Sequence, residues 1–208
     1  GWRWIARRPD DAVFEEAVTI YPGTPTLDRW RCNRLIHQRH FTITVAFDLA
    51  DGDRGMLVAH GDQGGGYALY LENGHVWFVH NDGHGHLPRI DGGPVVPGAD
   101  QRVTVQVEAP GQRVWNIVLD VNGDERGRVD GVTMPFPMAP FEGIDIGIDR
   151  RSPVDWALYE REGPFPFTGR LHWVHYEPGE RAPDAPARFV EFVKEMGAVS
   201  YTHLTLPT

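Results

Sequence analysis

The chain is 208 residues long, with a formal net charge of −9 from 20 Lys+Arg against 29 Asp+Glu; it is 41% hydrophobic, 11% aromatic, and has one cysteine. That length suits one large β domain or two small ones, no apolar run approaches the ~20 residues of a membrane span, and a lone cysteine excludes an internal disulfide framework while fitting a reducing, cytoplasmic setting. The acidic balance argues against nucleic acid as a partner, because that role needs clustered positive charge.

The first stretch, 1–13, reads as the remnant of an interdomain linker. It starts at Gly1 without a signal-peptide pattern, and Trp2, Trp4 and Ile5 have no assignable strand partner. A strand is expected at about 14–21. Phe41, Ile43, Val45, Phe47 and Leu49 then alternate with Thr42, Thr44, Ala46 and Asp48, which places one apolar face on a core. Another strand is expected at 55–60, and Asp62 to Tyr67, rich in glycine and lacking a following helix, reads as a tight strand connection. Residues 66–80 read as a hairpin turning at Asn73-Gly74, since a type I′ turn needs φ > 0 at both positions. Val103, Val105 and Val107 give a half-exposed strand, and Trp115, Ile117, Leu119 and Val121 share one face of the next. Asn122-Gly123 turns a second hairpin into a strand at 126–133. Ile144, Ile146 and Ile148 share a face, and in the last long strand Leu171, Trp173 and His175 oppose His172, Val174 and Tyr176.

Helical periodicity is found only near the end, where Phe189, Phe192, Val193 and Met196 recur at i, i+3, i+4, i+7, with Pro186 in the first turn and Gly197 as the stop. The organisation expected is therefore a β-sandwich over 14–180, an amphipathic helix within 181–198, and a tail, 199–208. That tail contains no Asp, Glu, Lys or Arg and looks like translated sequencing adapter of the kind found at the ends of environmental reads; it is set aside for fold reasoning. The arginine bias, with Lys194 the single lysine, reads as a GC-rich bacterial genome rather than as chemistry. The fold class is all-β: an antiparallel jelly-roll β-sandwich of concanavalin or laminin-G kind with one short C-terminal helix.

Candidate chemistry is sparse. Cys32, between Arg31 and Asn33-Arg34, has cationic neighbours that could lower a thiol pKa, but it reads as an ordinary loop cysteine. His75, His80, His84 and His86 crowd a glycine-rich loop, which does not preorganise zinc ligands. Asp120, Asn122 and Asp124 resemble a calcium loop in part, but glycine stands fourth rather than sixth and Gly131 occupies the twelfth place, so a hairpin turn is expected. Glu142, Asp145 and Asp149 invite comparison with the sandwich glucanases, whose acids lie at i, i+2 and i+4. Here Glu142 and Asp145 are three apart and face opposite sides of a strand, leaving only Asp145 and Asp149 on one face. No nucleophile elbow or phosphate-cradling loop occurs, so no catalytic, cofactor or metal residue is assigned.

Several segments together resemble the C-terminal domain of bacterial arylsulfatases, the type I sulfatases: TIYPGT (19–24), the run from Asn33 to Asn81, GIDIGIDRRSPVDWALY (143–159) and FPFTGRLHWVHYE (165–177). The resemblance covers most of residues 14–177. It implies a parent hydrolysing sulfate esters, with an α/β catalytic domain ahead of Gly1, a formylglycine made from the Cys or Ser of Cys/Ser-x-Pro-x-Arg, and calcium. Cys32 is followed by Asn33-Arg34-Leu35 and Ser152 by Pro153-Val154-Asp155, so neither fits that motif and no catalytic residue is carried over. The fragment is then inactive alone, and its partner is the missing catalytic domain. His80, Asn81, Asp149 and Tyr159 lie in the family-like phrases, where turns and strand ends explain them equally well. The alternatives are a stand-alone carbohydrate-binding module using Trp77, Trp173 or Tyr159 as stacking platforms and, less favoured by the carboxylate spacing, a sandwich glycosidase.

Overall fold

Strands that alternate β-branched or aromatic residues with polar ones can dry one face and wet the other. The computed structural model, which describes residues 14–135 and 142–185, follows that pattern. In chain order the elements are β1 (Val18–Ile20), α1 (Arg29–Ile36), β2 (Arg39–Leu49), β3 (Gly55–Asp62), β4 (Gly65–Glu72), β5 (His75–Asn81), β6 (Arg89–Pro94), β7 (Gly98–Gly111), β8 (Val114–Val121), β9 (Asp124–Thr133), β10 (Ile144–Ile146), α2 (Trp156–Glu162) and β11 (Arg170–Arg181). A six-stranded sheet has the order β1-β11-β2-β7-β8-β9 and a five-stranded sheet the order β10-β3-β4-β5-β6, every pairing antiparallel. They stack as a jelly-roll β-sandwich. No helix among the described residues is long and apolar enough to cross a membrane.

Register carries the expected inward rows straight across the larger sheet. Phe41 sits opposite Val107 and Val107 opposite Ile117; Ile43, Val105 and Leu119 form the next row, then Val45, Val103 and Val121. All are buried, together with Trp115. Both expected hairpin turns have two positive φ angles, 53° and 76° at Asn73-Gly74 and 53° and 89° at Asn122-Gly123.

A polar chain crosses this apolar interior. Tyr67 of β4 donates its hydroxyl to Tyr176 Oη of β11 at 3.1 Å, tying one sheet to the other. With that proton spent, Tyr67 Oη accepts from His60 Nδ1 at 3.0 Å. Burial pushes the His60 pKa down to about 3, so the ring stays neutral. Tyr176→Phe should leave the buried Tyr67 hydroxyl without its acceptor and destabilise the domain by about 1–2 kcal/mol. Urea unfolding would register this as a lower midpoint at unchanged slope.

Several expectations need correction. Two helices were missed. In α1 the buried Cys32, Leu35 and Ile36 do keep helical spacing, but over a single repeat in an element only eight residues long. The Asp28 side chain caps its start by accepting from Arg31 N. In α2 the cap is Asp155, which accepts from Leu158 N, and Gly163 at φ 67° ends the helix. Strand β6 was not foreseen either. The first strand is only Val18–Ile20, and β10 stops at Ile146 because Gly147 turns the chain with φ 71°, leaving Ile148 outside the sheet. In β11 a register shift between Leu171 and Trp173 breaks the simple alternation: Leu171 lies opposite Phe47 and packs on the core, while Trp173 lies opposite Ala46 and faces out. The expected helix at 189–196, the residues Trp2, Trp4 and Ile5, and the tail at 199–208 lie outside the described residues.

Strands β3 and β4 are buried on both faces. Their outer side carries a second apolar cluster in which Val154, Leu158 and Phe165, from α2 and its flanks, cover Met56, Ala59, Ala68, Tyr70 and Val79. The segment joining β10 to β11 is thus a lid on the five-stranded sheet, and it brings Val154, beside Asp149 and Asp155, against Asn81 at the end of β5.

Candidate functional site

Strand parity separates the four histidines. His75 and His80 are five apart on β5, so they face opposite ways. His75 points outward, bonding Asp91 at 2.9 Å and stacking on Trp77, with ring centroids 6.3 Å apart. His80 points inward, with Nε2 2.7 Å from the Thr133 carbonyl. His84 and His86 close a turn on Asp82, whose carboxylate accepts from His84 N at 2.7 Å and pairs with His86 Nδ1 at 2.8 Å. These rings do not converge on a common ion.

Cys32 belongs to helix α1, not to a loop, and is fully buried; burial pushes its thiol up to about 12, which removes the thiolate a nucleophile needs. Asn122 is spent on its hairpin, accepting from Arg102 N and donating to Gln101 Oε1, each at 2.8 Å. Asp120 accepts from Gln106 Nε2 at 2.8 Å, and Asp124 opens β9 opposite Val121.

The acids at 142, 145 and 149 required a different account. Because β10 holds only three residues, face parity does not extend to Glu142 or Asp149. Asp145 accepts from Thr26 Oγ1 at 2.6 Å, Arg150 Nη1 at 2.9 Å and Arg150 N at 2.9 Å. Asp149 accepts from Val154 N at 3.0 Å. It is 4% exposed, and desolvation, with the charges of Asp145, Glu142 and Asp155 adding to it, raises its pKa to about 7. Glu142 is also raised, chiefly by desolvation, and takes Ser152 N at 3.4 Å. These carboxylates hold a loop rather than flank an open cleft.

Asn81 completes that loop. Its amide donates to the Val154 carbonyl at 2.9 Å and to the Gln63 carbonyl at 3.3 Å, while its oxygen accepts from Gly83 N at 2.8 Å. Val154 is therefore gripped at both its N–H, by Asp149, and its C=O, by Asn81. The three candidate stacking aromatics do not share a face. Trp77 lies on the outer side of the five-stranded sheet, and Trp173 lies on the outer side of the six-stranded sheet under the Arg102 guanidinium, 5.5 Å from the ring. Tyr159 stacks on Trp156 along α2, with centroids 5.7 Å apart.

One group escaped the sequence. Asp48, Asp100 and His172 bring three donor atoms within 4.8 Å of one another, and no other such trio occurs among the described residues. They sit on or beside β2, β7 and β11, neighbours in the sheet but 52 and 72 positions apart in the chain, so only strand order brings them together. His172 Nε2 lies 2.8 Å from Asp48 Oδ1, which also accepts from Asp100 N at 3.0 Å. The imidazole bond, more than any other contact, holds the Asp48 carboxyl below the usual carboxylate range. A shallow, open depression of about 660 Å³ lies there, lined by Asp48, Asp53, Gly98, Thr168 and Arg170 among others. The trio has the donor types of a divalent-cation site, and buried Cys32 does not fit a formylglycine precursor. No reaction step runs through either group in this chain.

The chain matches no protein-family profile and no curated protein sequence. Among solved structures it is similar to mouse laminin α1 chain domains LG4-5, with TM-score 0.48 and 11% identity over 83% of this chain and 44% of that one. It is similar also to domain 4 of a Geobacillus stearothermophilus extracellular arabinanase solved with arabinotriose (TM-score 0.44, 13% identity, 71% and 64% covered), and to a Caenorhabditis elegans galectin (0.41, 10%, 78% and 96%). The chain thus spans less than half of the laminin pair and just under two thirds of the arabinanase domain.

Proposed function

We propose that this chain is the C-terminal β-sandwich of an arylsulfatase, a part that does no chemistry itself and packs against a catalytic domain supplied by the rest of the protein. The observation that carries this reading is the grip on Val154. Asn81 closes the family-like run 33–81, while Asp149 and Val154 belong to the phrase 143–159; the two phrases meet at one residue, Val154. Residues that resemble one family in order and spacing therefore also serve one another in space. Trp30 on α1, 67% exposed with the Arg29 guanidinium 5.3 Å from its ring, is the large apolar side chain best suited to meet a neighbouring domain.

The experiment is to read the genomic DNA upstream of Gly1 and express the extended frame. An α/β domain containing Cys/Ser-x-Pro-x-Arg is expected, together with aryl-sulfate hydrolysis by the extended protein and none by residues 1–208. A start codon directly before Gly1, or an upstream domain of another class, overturns the proposal. The carbohydrate-module alternative ranks second because its aromatic platforms are divided between opposite faces and a helix.

A further inference from the structure

Two buried polar atoms in the core find no hydrogen-bond partner in the protein, and they belong to rings in contact: His80 Nδ1 and Trp115 Nε1. Both side chains are essentially inaccessible, at 0% and 1%. Their ring centroids are 5.4 Å apart with 57° between planes. A carbonyl can only accept, so the 2.7 Å contact of His80 Nε2 with the Thr133 carbonyl places the imidazole proton on Nε2. Burial lowers the His80 pKa and keeps the ring neutral, so Nδ1 is a bare acceptor. The indole Nε1–H is a donor and nothing else. One acceptor and one donor in adjacent rings, each costly to leave unmatched, call for a guest that both donates and accepts.

We propose that one buried water molecule is held between these rings, accepting from Trp115 Nε1–H and donating to His80 Nδ1. Water suits the site because neither atom bonds the other or anything else in the protein, and one oxygen can accept from the indole while donating to the imidazole. His80 is on β5 and Trp115 on β8, so the bridge joins the two sheets, beside the direct bond from His80 to Thr133 at the end of β9. Trp115 also lies edge-on to Phe41, with centroids 5.3 Å apart, which holds the indole in place.

NMR on ¹⁵N-labelled residues 1–208 tests this. The Trp115 indole proton should show a cross-relaxation peak to a water resonance with the sign of a long-lived contact. The His80 Nδ1 resonance should lie upfield of a bare imidazole nitrogen. In Trp115→Phe, which keeps an aromatic ring, that resonance should return toward the bare value. Absence of the water cross peak in the unmodified protein overturns the proposal. So does a His80 Nδ1 signal unmoved by the substitution in a variant whose amide fingerprint is native. Should the variant fail to fold, a high-resolution crystal structure of the unmodified protein decides: an ordered oxygen within hydrogen-bond distance of both nitrogens supports the bridge, and its absence overturns it.

Discussion

Gly66→Ala should cost the domain at least about 3 kcal/mol, a large part of the total stability of an ordinary domain. Gly66 pairs with Gly61 across β3 and β4 and has φ +146°. A Cβ there would lie 2.0 Å from the His60 carbonyl oxygen and 2.9 Å from the Gly61 Cα. Those are backbone atoms, so no side chain can swing aside. The strands would have to part next to Tyr67, whose hydroxyl joins the two sheets. Circular dichroism melting should show Tm lowered by about 10 °C. Gly74→Ala is the control. Its φ, +76°, is also positive, though near the left-handed region that a side chain can enter at modest cost, and nothing lies within 4 Å of the added atom. It should lose only about 1 kcal/mol. Equal losses in the two variants would mean that backbone angle, not the close strand approach, sets the requirement.

The second large effect concerns pH. Asp149 has its pKa raised from 3.8 to about 7, by desolvation first and by neighbouring carboxylates after it. Folding therefore favours its protonated form. The stability that this preference contributes is fully present below the unfolded value near 3.8 and is lost as pH rises through about 7. The displacement corresponds to as much as about 4 kcal/mol. Asp149→Asn keeps an oxygen for Val154 N and never ionises, so the variant should match the natural protein near pH 4 and exceed it by about 2–4 kcal/mol at pH 8. Urea unfolding of both proteins across that range is the measurement. Parallel stability curves would show that Asp149 is not the titrating group.

The fold was largely legible because its strongest signal is local. Phe41 to Leu49, Val103 to Val107 and Trp115 to Val121 each advertise a buried face by alternation alone, and the Asn-Gly pairs mark turns by the φ angles they tolerate. Strands β3 and β4 had to be read differently, since burial on both faces erases the alternation. Helices α1 and α2, at eight and seven residues, are too short for a helical period to stand out, although Asp28 and Asp155 are capping residues in plain view. The carboxylates were misplaced because face parity holds only inside a strand, and Gly147 ends β10 after Ile146. Asp48, Asp100 and His172 could not be linked at all, because nothing short-range in a sequence says that β2 lies between β7 and β11.

That same order bears on how the chain is made. The last described strand enters between the first two: β11 pairs with β1 through Val18 and Tyr176, and with β2 through Asp48 and Arg170. While the ribosome is still adding residues before 170, β1 and β2 have emerged but lack the neighbour they share, and β2 presents an unfilled edge along most of its eleven residues. Closing the larger sheet means joining segments more than 120 positions apart, which is a slow event in folding. The larger sheet therefore closes only after β11 is released, and until then its vulnerable site is the open side of β2, where another unfinished copy could pair.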